Sequence, residues 1–201
     1  MSVSVVSYGL GNLGSVLNML RRVGADPRVA STPAEVGTSE RLLLPGIGAF
    51  DTGMRLLRDA RLSEPIQDFA ASGRPLLGIC LGMQLLLESS EEGAEPGLGL
   101  ISGTSRKFDD SIGLRVPHVG WNTLIPSRPD PLVADLPEDS RFYFVHSYHV
   151  VPIAKGDTLA VTDYGAPFSS MIRANNVMGA QFHPEKSHAF GMQIFRNFAA
   201  I

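Results

Sequence analysis

The hydrophobic pattern of the first half of the chain predicts β-strands that alternate with α-helices. Short apolar runs at residues 3–7, 42–44 and 75–79 have the length and the flanking turns of buried strands. Apolar residues elsewhere recur at helical spacing, and the predicted helices cover residues 13–23, 52–60, 63–72 and 81–88. Strands and helices in this order predict a parallel sheet with helices on both faces.

The second half of the chain has a different pattern, in which short strand-like runs follow one another. The runs cover residues 104–108, 113–116, 122–125, 141–145, 149–152, 158–164, 168–173 and 177–182. Asn175 and Asn176 suit a hairpin turn because asparagine tolerates positive φ, and a final helix carries Met192 and Phe198. No repeat or linker interrupts the chain, so we expect one domain over residues 1–201. Its fold class is α/β, with an open, mostly parallel sheet flanked by helices and an antiparallel excursion in the second half.

Composition narrows the range of functions. The 201 residues include 17 basic and 20 acidic side chains, and only 18% are charged, which argues against nucleic acid or a membrane as the main ligand. No apolar run approaches the roughly 20 residues that span a bilayer, and the N-terminus lacks the features of a signal peptide, so we expect a cytoplasmic protein. The single cysteine excludes an internal disulfide and a cysteine-rich metal site, and we expect no metal and no cofactor. A weakly charged surface is consistent with a protein partner.

The setting of that cysteine is typical of a nucleophile. Cys80 follows a predicted strand, precedes a predicted helix and lies between Gly78 and Gly82, the layout of a nucleophile elbow. The small neighbours allow so sharp a turn. The helix N-terminus would favour a thiolate, and the Leu81 N–H would point at a developing oxyanion. A buried structural cysteine between two turn glycines is the alternative, and the elbow alone does not decide between them.

His183 is the best candidate for the base that a cysteine nucleophile needs. Pro184 disfavours a helix at His183, and in extended backbone Glu185, two residues further, can lie on the same side and orient the imidazole. This segment follows a strand, so it would lie at the sheet edge that carries Cys80. The alternative is a His-Pro turn with a solvated glutamate, but together with the elbow the spacing favours a triad.

A third segment after a strand is rich in glycine. Residues 45–48, Pro-Gly-Ile-Gly, leave backbone N–H groups accessible and can change conformation, which suits half of an oxyanion hole. A simple glycine-rich β–α turn is almost as consistent with these residues. A phosphate loop is disfavoured because no Gly-Lys-Ser/Thr follows.

Taken together, these motifs resemble a known family. Residues 78–84 (Gly-Ile-Cys-Leu-Gly-Met-Gln) and 183–185 (His-Pro-Glu) resemble the class I, or triad, glutamine amidotransferases, whose fold is flavodoxin-like. Residues 8–13, 44–48, 117–122 and 143–148 narrow the resemblance to the family of glutaminase subunits of imidazole glycerol phosphate synthase. The resemblance covers nearly the whole chain, from about residue 3 to 198.

The resemblance implies a role for each motif. Cys80 would attack the glutamine side-chain amide, His183 would pass a proton to the leaving ammonia, and Glu185 would orient His183. Two further groups of residues match family positions. The oxyanion group is Gly46, Ile47, Gly48 and Leu81; the substrate-binding group is Gln84, Glu92, His146, Ser147 and Tyr148.

The resemblance also implies a protein partner. Ammonia would pass to a (β/α)8-barrel cyclase subunit in a heterodimer, which uses it with a phosphoribulosyl intermediate (PRFAR) to make imidazole glycerol phosphate and AICAR in histidine biosynthesis. Asn12, Trp121, Tyr143 and Lys186 match interface positions of the family. Each also has an ordinary structural reading as a core, strand or surface residue.

Three alternatives remain at the level of sequence. The chain could serve another triad amidotransferase, be a non-catalytic regulatory subunit, or be a cysteine hydrolase of γ-glutamyl peptides without a partner. Met83 and the Gly120-Trp121-Asn122 run argue against the first. The presence of Cys80, His183 and Glu185 argues against the second.

Overall fold

The computed structural model describes residues 1–109 and 113–201. The helices are α1 (Leu13–Arg22), α2 (Pro33–Gly37), α3 (Phe50–Asp59), α4 (Ser63–Ala71), α5 (Leu81–Leu85) and α6 (His188–Ala200). The strands are β1 (Ser2–Val6), β2 (Asp26–Ala30), β3 (Leu42–Gly46), β4 (Leu76–Cys80), β5 (Ser89–Ser90), β6 (Gly103–Lys107), β7 (His118–Thr123), β8 (Ile125–Pro126), β9 (Arg141–His146), β10 (Tyr148–Pro152), β11 (Thr158–Asp163), β12 (Pro167–Ala174) and β13 (Val177–Ala180).

Five strands form a parallel sheet in the spatial order β2-β1-β3-β4-β13. This is the strand order of flavodoxin-like sheets, so the parallel sheet predicted from the hydrophobic pattern is confirmed. Because the five strands run the same way, their carboxyl ends lie at one edge. Gly46, Cys80 and the segment that follows Ala180 meet at that edge. The fold therefore creates the place where ligands bind in open α/β sheets.

The antiparallel excursion of the second half is also confirmed. Strands β12, β10 and β6 continue the sheet beyond β13, β11 pairs with β12 at its side, and β7 pairs with β9 in a separate two-stranded ribbon. The hairpin between β12 and β13 turns at Asn175, whose φ of +54° is the left-handed conformation predicted there.

Several element boundaries differ from the predictions. Residues 113–116 are not a strand: Gly113 has φ +72°, and the Arg115 carbonyl accepts a hydrogen bond from the Tyr164 hydroxyl instead of from a neighbouring strand. The predicted strand at 122–125 is divided between β7 and β8, and the helix predicted over 81–88 ends at Leu85. The sequence pattern does not predict β2, because its sequence Asp-Pro-Arg-Val-Ala lacks an apolar run.

The central strands β3 and β4 are covered by apolar side chains on both faces, which is why they are continuous apolar runs. In β3, Leu43 packs with α1 and α6 on one face, whereas Leu42 and Leu44 pack with α3, α4 and α5 on the other. The two cores hold the carboxyl edge rigid.

The β7–β9 ribbon has one buried and one exposed face. Phe142 and Phe144 of β9 are buried in the core, and the residues between them point outward. The outward face has three cross-strand pairs: Val119 with Val145, Trp121 with Tyr143, and Thr123 with Arg141. In the part of the chain that is described, no helix is long and apolar enough to cross a membrane.

Candidate active site

The turn at Cys80 joins β4 directly to α5. Cys80 has φ +54°, a left-handed conformation that is strained for a residue other than glycine. A Cβ on Gly78 would lie 2.5 Å from the Gly82 carbonyl oxygen, and a Cβ on Gly82 would collide with the Leu44 carbonyl oxygen. The Gly-x-Cys-x-Gly spacing is therefore a steric requirement of the elbow, which holds the Cys80 thiol at the edge of the sheet.

His183 and Glu185 lie in the segment that follows β13, where residues Pro184–Lys186 form a short 3-10 helix and not the extended backbone that the sequence predicts. His183 Nδ1 donates a hydrogen bond to Glu185 Oε1 at 2.8 Å, and both side chains are almost fully buried. The His183 backbone N–H donates to the Tyr143 carbonyl oxygen at 2.9 Å, which ties this segment to β9. His183 and Cys80 line the same cavity, so the structure brings the three predicted triad residues together.

The electrostatic environment of His183 favours the imidazolium. Burial lowers the pKa of His183, but interactions with the Cys80 thiol and the Glu185 carboxylate outweigh burial and raise the pKa to about 10. Its Nε2 atom is buried and has no hydrogen-bond partner of good geometry among the described residues, and the same holds for Glu185 Oε2. A charged imidazole with an unused nitrogen is thus available to a reacting group.

The glycine-rich segment after β3 lies against the elbow. Gly46 is in register with Cys80 on the neighbouring strand, and a Cβ on Gly46 would lie 2.8 Å from the Gly82 nitrogen. No side chain fits at this position, so Gly46 is required by packing. Gly48 has φ +105°, and it lines the cavity together with Ile47 and Leu81.

Tyr8 anchors the start of that segment, a contact that sequence analysis does not identify. The buried Tyr8 hydroxyl donates a hydrogen bond of 2.8 Å to the Pro45 carbonyl oxygen. Burial, and to a lesser extent the Cys80 thiol, raises the pKa of Tyr8, so the hydroxyl stays protonated and remains a donor.

A cavity of about 310 Å³ opens beside Cys80. This volume is at the small end of ligand cavities and suits a compact polar molecule. The five residues assigned to substrate binding all line it, with Pro117 and Val145 as further lining residues. The structure therefore collects the substrate-binding, oxyanion and triad residues around one space, except for Gly46 and Glu185, which lie just behind its wall.

Gln84 and Glu92 of the cavity each use one side-chain atom in hydrogen bonds to neighbouring protein groups. Gln84 Nε2 donates to the Tyr148 carbonyl oxygen and to Gln181 Oε1, both at 3.1 Å. Glu92 Oε2 accepts a hydrogen bond of 2.9 Å from the backbone nitrogen of Phe50, at the start of α3. These contacts orient both side chains so that an oxygen of each is left to accept from a ligand.

Gln181 reaches the nucleophile itself, although sequence analysis assigns it no role. Its Nε2 lies 3.8 Å from Cys80 Sγ, and the side chain is fully buried. Gln181 stands two residues before His183 in sequence, and this proximity to the predicted base is the signal that could have identified it.

His146, a lining residue of the cavity, is hydrogen-bonded to His118, and both histidines are neutral. The Asn122 amide donates to His118 Nε2 at 3.4 Å, so His118 carries its proton on Nδ1, which lies 3.1 Å from His146 Nε2. His146 then donates from Nδ1 to the Tyr148 carbonyl oxygen at 2.8 Å. Burial lowers the pKa of His118 to about 4 and that of His146 to about 3, which keeps both rings uncharged.

Three of the four residues assigned to a partner interface lie together. The Trp121 and Tyr143 rings are 5.9 Å apart at 70°, and Lys186 Nζ lies 5.5 Å from the centre of the Tyr143 ring. Trp121 also stacks on His188 at 5.3 Å. Asn12 is exposed at the start of α1, where its side chain accepts a hydrogen bond from the Ser15 backbone nitrogen. Among the described residues, no cluster of histidine, cysteine and carboxylate groups could hold a metal ion.

Comparison with known proteins identifies the family. Residues 5–201 match the family model for class-I glutamine amidotransferases, and the chain belongs to that family of enzymes. More narrowly, it belongs with the imidazole glycerol phosphate synthase subunits HisH. The relative from Pseudomonas aeruginosa is 46% identical, over 99% of this chain and 99% of its own length. The relative from Synechococcus elongatus is also 46% identical, over 98% of this chain and 91% of its own length. A relative from Methanococcus maripaludis is 43% identical, with 98% of both chains covered.

Solved structures confirm the fold class at lower sequence identity. A structure of PurLQS from Thermotoga maritima aligns with a TM-score of 0.76 at 21% identity, over 98% of this chain and 96% of that one. A crystal structure of another glutamine amidotransferase aligns with a TM-score of 0.75 at 19% identity, over 99% of both chains.

Proposed function

We propose that this chain, acting as one domain over residues 1–201, hydrolyses glutamine to glutamate and ammonia through a thioester on Cys80. The ammonia passes to the cyclase subunit of an imidazole glycerol phosphate synthase in histidine biosynthesis. One observation carries the proposal: His183, hydrogen-bonded to Glu185, stands with Cys80 at a cavity of about 310 Å³. The HisH relatives support the biosynthetic assignment.

In the first half-reaction the Cys80 thiolate attacks the side-chain amide carbon of glutamine and forms a C–S bond. The His183 imidazolium, whose pKa is raised to about 10, donates its Nε2 proton to the amide nitrogen as the C–N bond breaks. Ammonia leaves, and a γ-glutamyl thioester remains on Cys80. Glu185 stabilises the imidazolium and keeps Nε2 directed at the reacting groups.

In the second half-reaction water replaces ammonia. The neutral His183 takes a proton from a water molecule, and the resulting hydroxide attacks the thioester carbon. The C–S bond breaks, glutamate leaves, and the Cys80 thiolate with its imidazolium partner is restored. The net reaction consumes one glutamine and one water and releases one glutamate and one ammonia.

The cavity wall supports recognition of the amino-acid end of glutamine. Gln84 and Glu92 each use one group to hold the wall and keep an oxygen that can accept from the substrate ammonium. His146, Ser147 and Tyr148 also line the cavity. The carboxylate of Glu92 supplies the charge that an ammonium requires.

The oxyanion of each tetrahedral intermediate would be stabilised by backbone N–H groups. Leu81 follows the nucleophile directly, and Ile47 or Gly48 supplies the second donor from the segment after β3. Tyr8 fixes the Pro45 carbonyl, so rearrangement of this segment is confined to the peptides beyond Gly46.

The partner is a (β/α)8-barrel cyclase subunit in a heterodimer. The exposed face of the β7–β9 ribbon supports this assignment, because Trp121 is 47% exposed and Val119 55% exposed on a short sheet next to the catalytic histidine segment. Tyr143, Lys186 and Asn12 complete the interface, which lies on the carboxyl edge of the sheet.

The proposal is tested with Cys80→Ala in a reconstituted complex with the cyclase subunit. We expect glutamine-dependent synthesis of imidazole glycerol phosphate to fall by more than about 10⁴-fold, whereas synthesis from added ammonia stays unchanged. Both rates are measured on the same preparation, so the ammonia rate is the control for folding and assembly. Loss of both rates contradicts the division of labour between the subunits.

The isolated chain provides a second test. We expect slow glutamine hydrolysis alone and faster hydrolysis when the cyclase subunit and its ligand bind. Full activity without a partner would instead identify a stand-alone γ-glutamyl hydrolase. Co-purification with a different synthase subunit would keep the glutaminase chemistry and overturn the histidine-biosynthesis assignment.

A further inference from the structure

The position of Gln181 is fixed by the sheet. Its backbone nitrogen donates to the Ser170 carbonyl oxygen at 2.9 Å, which continues the pairing of β13 with β12. Just beyond the end of β13, the Gln181 side chain reaches the Cys80 sulfur and His183 lines the same cavity as Cys80, while Phe182 between them enters the core. The triad histidine and Gln181 therefore approach Cys80 from one segment.

The orientation of the Gln181 amide follows from its neighbours. A backbone carbonyl can only accept, so the Gln84 atom that lies 3.1 Å from the Tyr148 carbonyl oxygen is the amide nitrogen. That nitrogen donates its second proton to the Gln181 oxygen, also at 3.1 Å. The Gln181 nitrogen is then directed at the Cys80 sulfur. The Tyr148 carbonyl thus determines the donor and the acceptor in each hydrogen bond from Gln84 through Gln181 to Cys80.

The burial of Gln181 requires an acceptor for this N–H. An amide proton in a fully buried position costs free energy unless it is hydrogen-bonded. Among the described residues, the acceptor that the structure provides for the Gln181 nitrogen is Cys80 Sγ. A thiol is a weak acceptor and a thiolate is a strong one, so this arrangement is satisfied best when Cys80 is ionised.

We infer that Gln181 donates a hydrogen bond to the Cys80 thiolate and, held in direction by Gln84, acts with His183 to keep the nucleophile ionised. Gln181 touches the reacting sulfur, whereas Gln84 is a positioning residue that acts through it. The other titratable groups around the sulfur are His183, with Glu185 hydrogen-bonded to it, and the Tyr8 hydroxyl; Glu92, His146 and Tyr148 line the same cavity. The catalytic use of this contact rests on the proposed function, but the contact itself does not.

The test measures alkylation of Cys80 by iodoacetamide from about pH 5 to about pH 10. Cys80 is the single cysteine of the chain, so incorporation of one label reports this site alone. The plateau rate at high pH reports access to the sulfur, and the midpoint of the pH profile reports stabilisation of the thiolate. A purely structural change alters the plateau and leaves the midpoint in place.

For Gln181→Met we expect the midpoint to rise by about one pH unit, with alkylation up to about tenfold slower at neutral pH and an unchanged plateau. Gln84→Met leaves the donor in place but removes the group that orients it, so we expect a smaller rise in the same direction. Asn197→Leu is the matched control, because Asn197 is a buried amide bonded to the Leu132 and Ala134 carbonyls. We expect no shift of the midpoint in this control.

If Gln181→Met does not fold, as judged by circular dichroism, Gln84→Met carries the test. An unchanged midpoint in whichever of the two variants folds overturns the inference. Alkylation needs neither glutamine nor a partner subunit. A failure of the glutaminase assay would therefore not affect the alkylation result. An unchanged alkylation midpoint would likewise leave the glutaminase proposal standing.

Discussion

His183 and the His118–His146 pair are buried beside the same cavity, yet their pKa values move in opposite directions. Burial lowers the pKa of His118 to about 4 and that of His146 to about 3, because their hydrogen bonds are satisfied by neutral groups. For His183, Cys80 and Glu185 outweigh the same burial and raise the pKa to about 10. The comparison shows that nearby anions, rather than depth in the protein, determine which imidazole can act as an acid.

Removing the anion behind His183 should have the largest effect. In Glu185→Gln the imidazolium loses its carboxylate, so we expect the pKa of His183 to fall and kcat for glutamine hydrolysis in the complex to decrease by about 10³-fold. Glutaminase kinetics and NMR titration of the His183 ring measure the two changes. The control is Glu40→Gln, at an exposed carboxylate paired with Arg41. A loss of less than about tenfold would contradict the role assigned to Glu185.

Breaking the neutral pair should mainly reduce stability. His118→Leu leaves buried His146 Nε2 without a donor, and we expect the free energy of unfolding to fall by about 2 kcal/mol. Urea unfolding measures this change. Glu40→Gln is again the control, since Glu40 is an exposed carboxylate outside both hydrophobic cores. Equal losses in the two variants would mean that the hydrogen bond between the histidines contributes nothing.

The His118–His146 pair and His183 should also make the free energy of unfolding depend on pH in opposite directions. We expect each contribution to be on the order of 1 kcal/mol, because solvent screens part of the charge interactions. The pair stays neutral when folded, so its contribution is present above about pH 6.5 and is lost as the pH falls through about 4 to 3. The contribution of His183 is complete below about pH 6.5 and is lost as the pH rises through about 10. Urea unfolding over a pH series measures both dependences.

Variants separate these two dependences. In His118→Leu, the free energy of unfolding should depend less on pH on the acid side. In Glu185→Gln, it should depend less on pH on the alkaline side. If each variant changed both sides equally, the assignment of opposite charge states to the two sites would be wrong.

The parallel half of the fold was predictable because its strands are buried on both faces. Leu42, Leu43 and Leu44 pack alternately into two cores, and a short apolar run that ends in Pro-Gly is typical of such a strand. Edge elements lack that signal. β2 carries exposed charge and proline, and residues 113–116 are held by the Tyr164 hydroxyl, a contact between distant residues that local pattern does not contain.

The candidate site was predictable where local geometry dictates spacing. Gly78 and Gly82 mark the elbow because a Cβ at either would strike backbone. Glu185 bonds to His183 as the spacing predicts, but it does so from a 3-10 helix, Pro184–Lys186, and not from extended chain. Tyr8 is different, since its partner Pro45 is 37 residues away. The substrate-binding residues were assigned by resemblance, because they come from separate segments that only the folded sheet brings together.

The single tryptophan of the chain lies on the outward face of the β7–β9 ribbon, half exposed and stacked on His188. An indole in that position has an emission spectrum that depends on the water around it and on the imidazole beneath it. Any subunit that covers this face must change both. The tryptophan fluorescence of this chain comes from one residue, so a change in that emission on mixing, after the partner's own emission is subtracted, reports docking at the proposed interface.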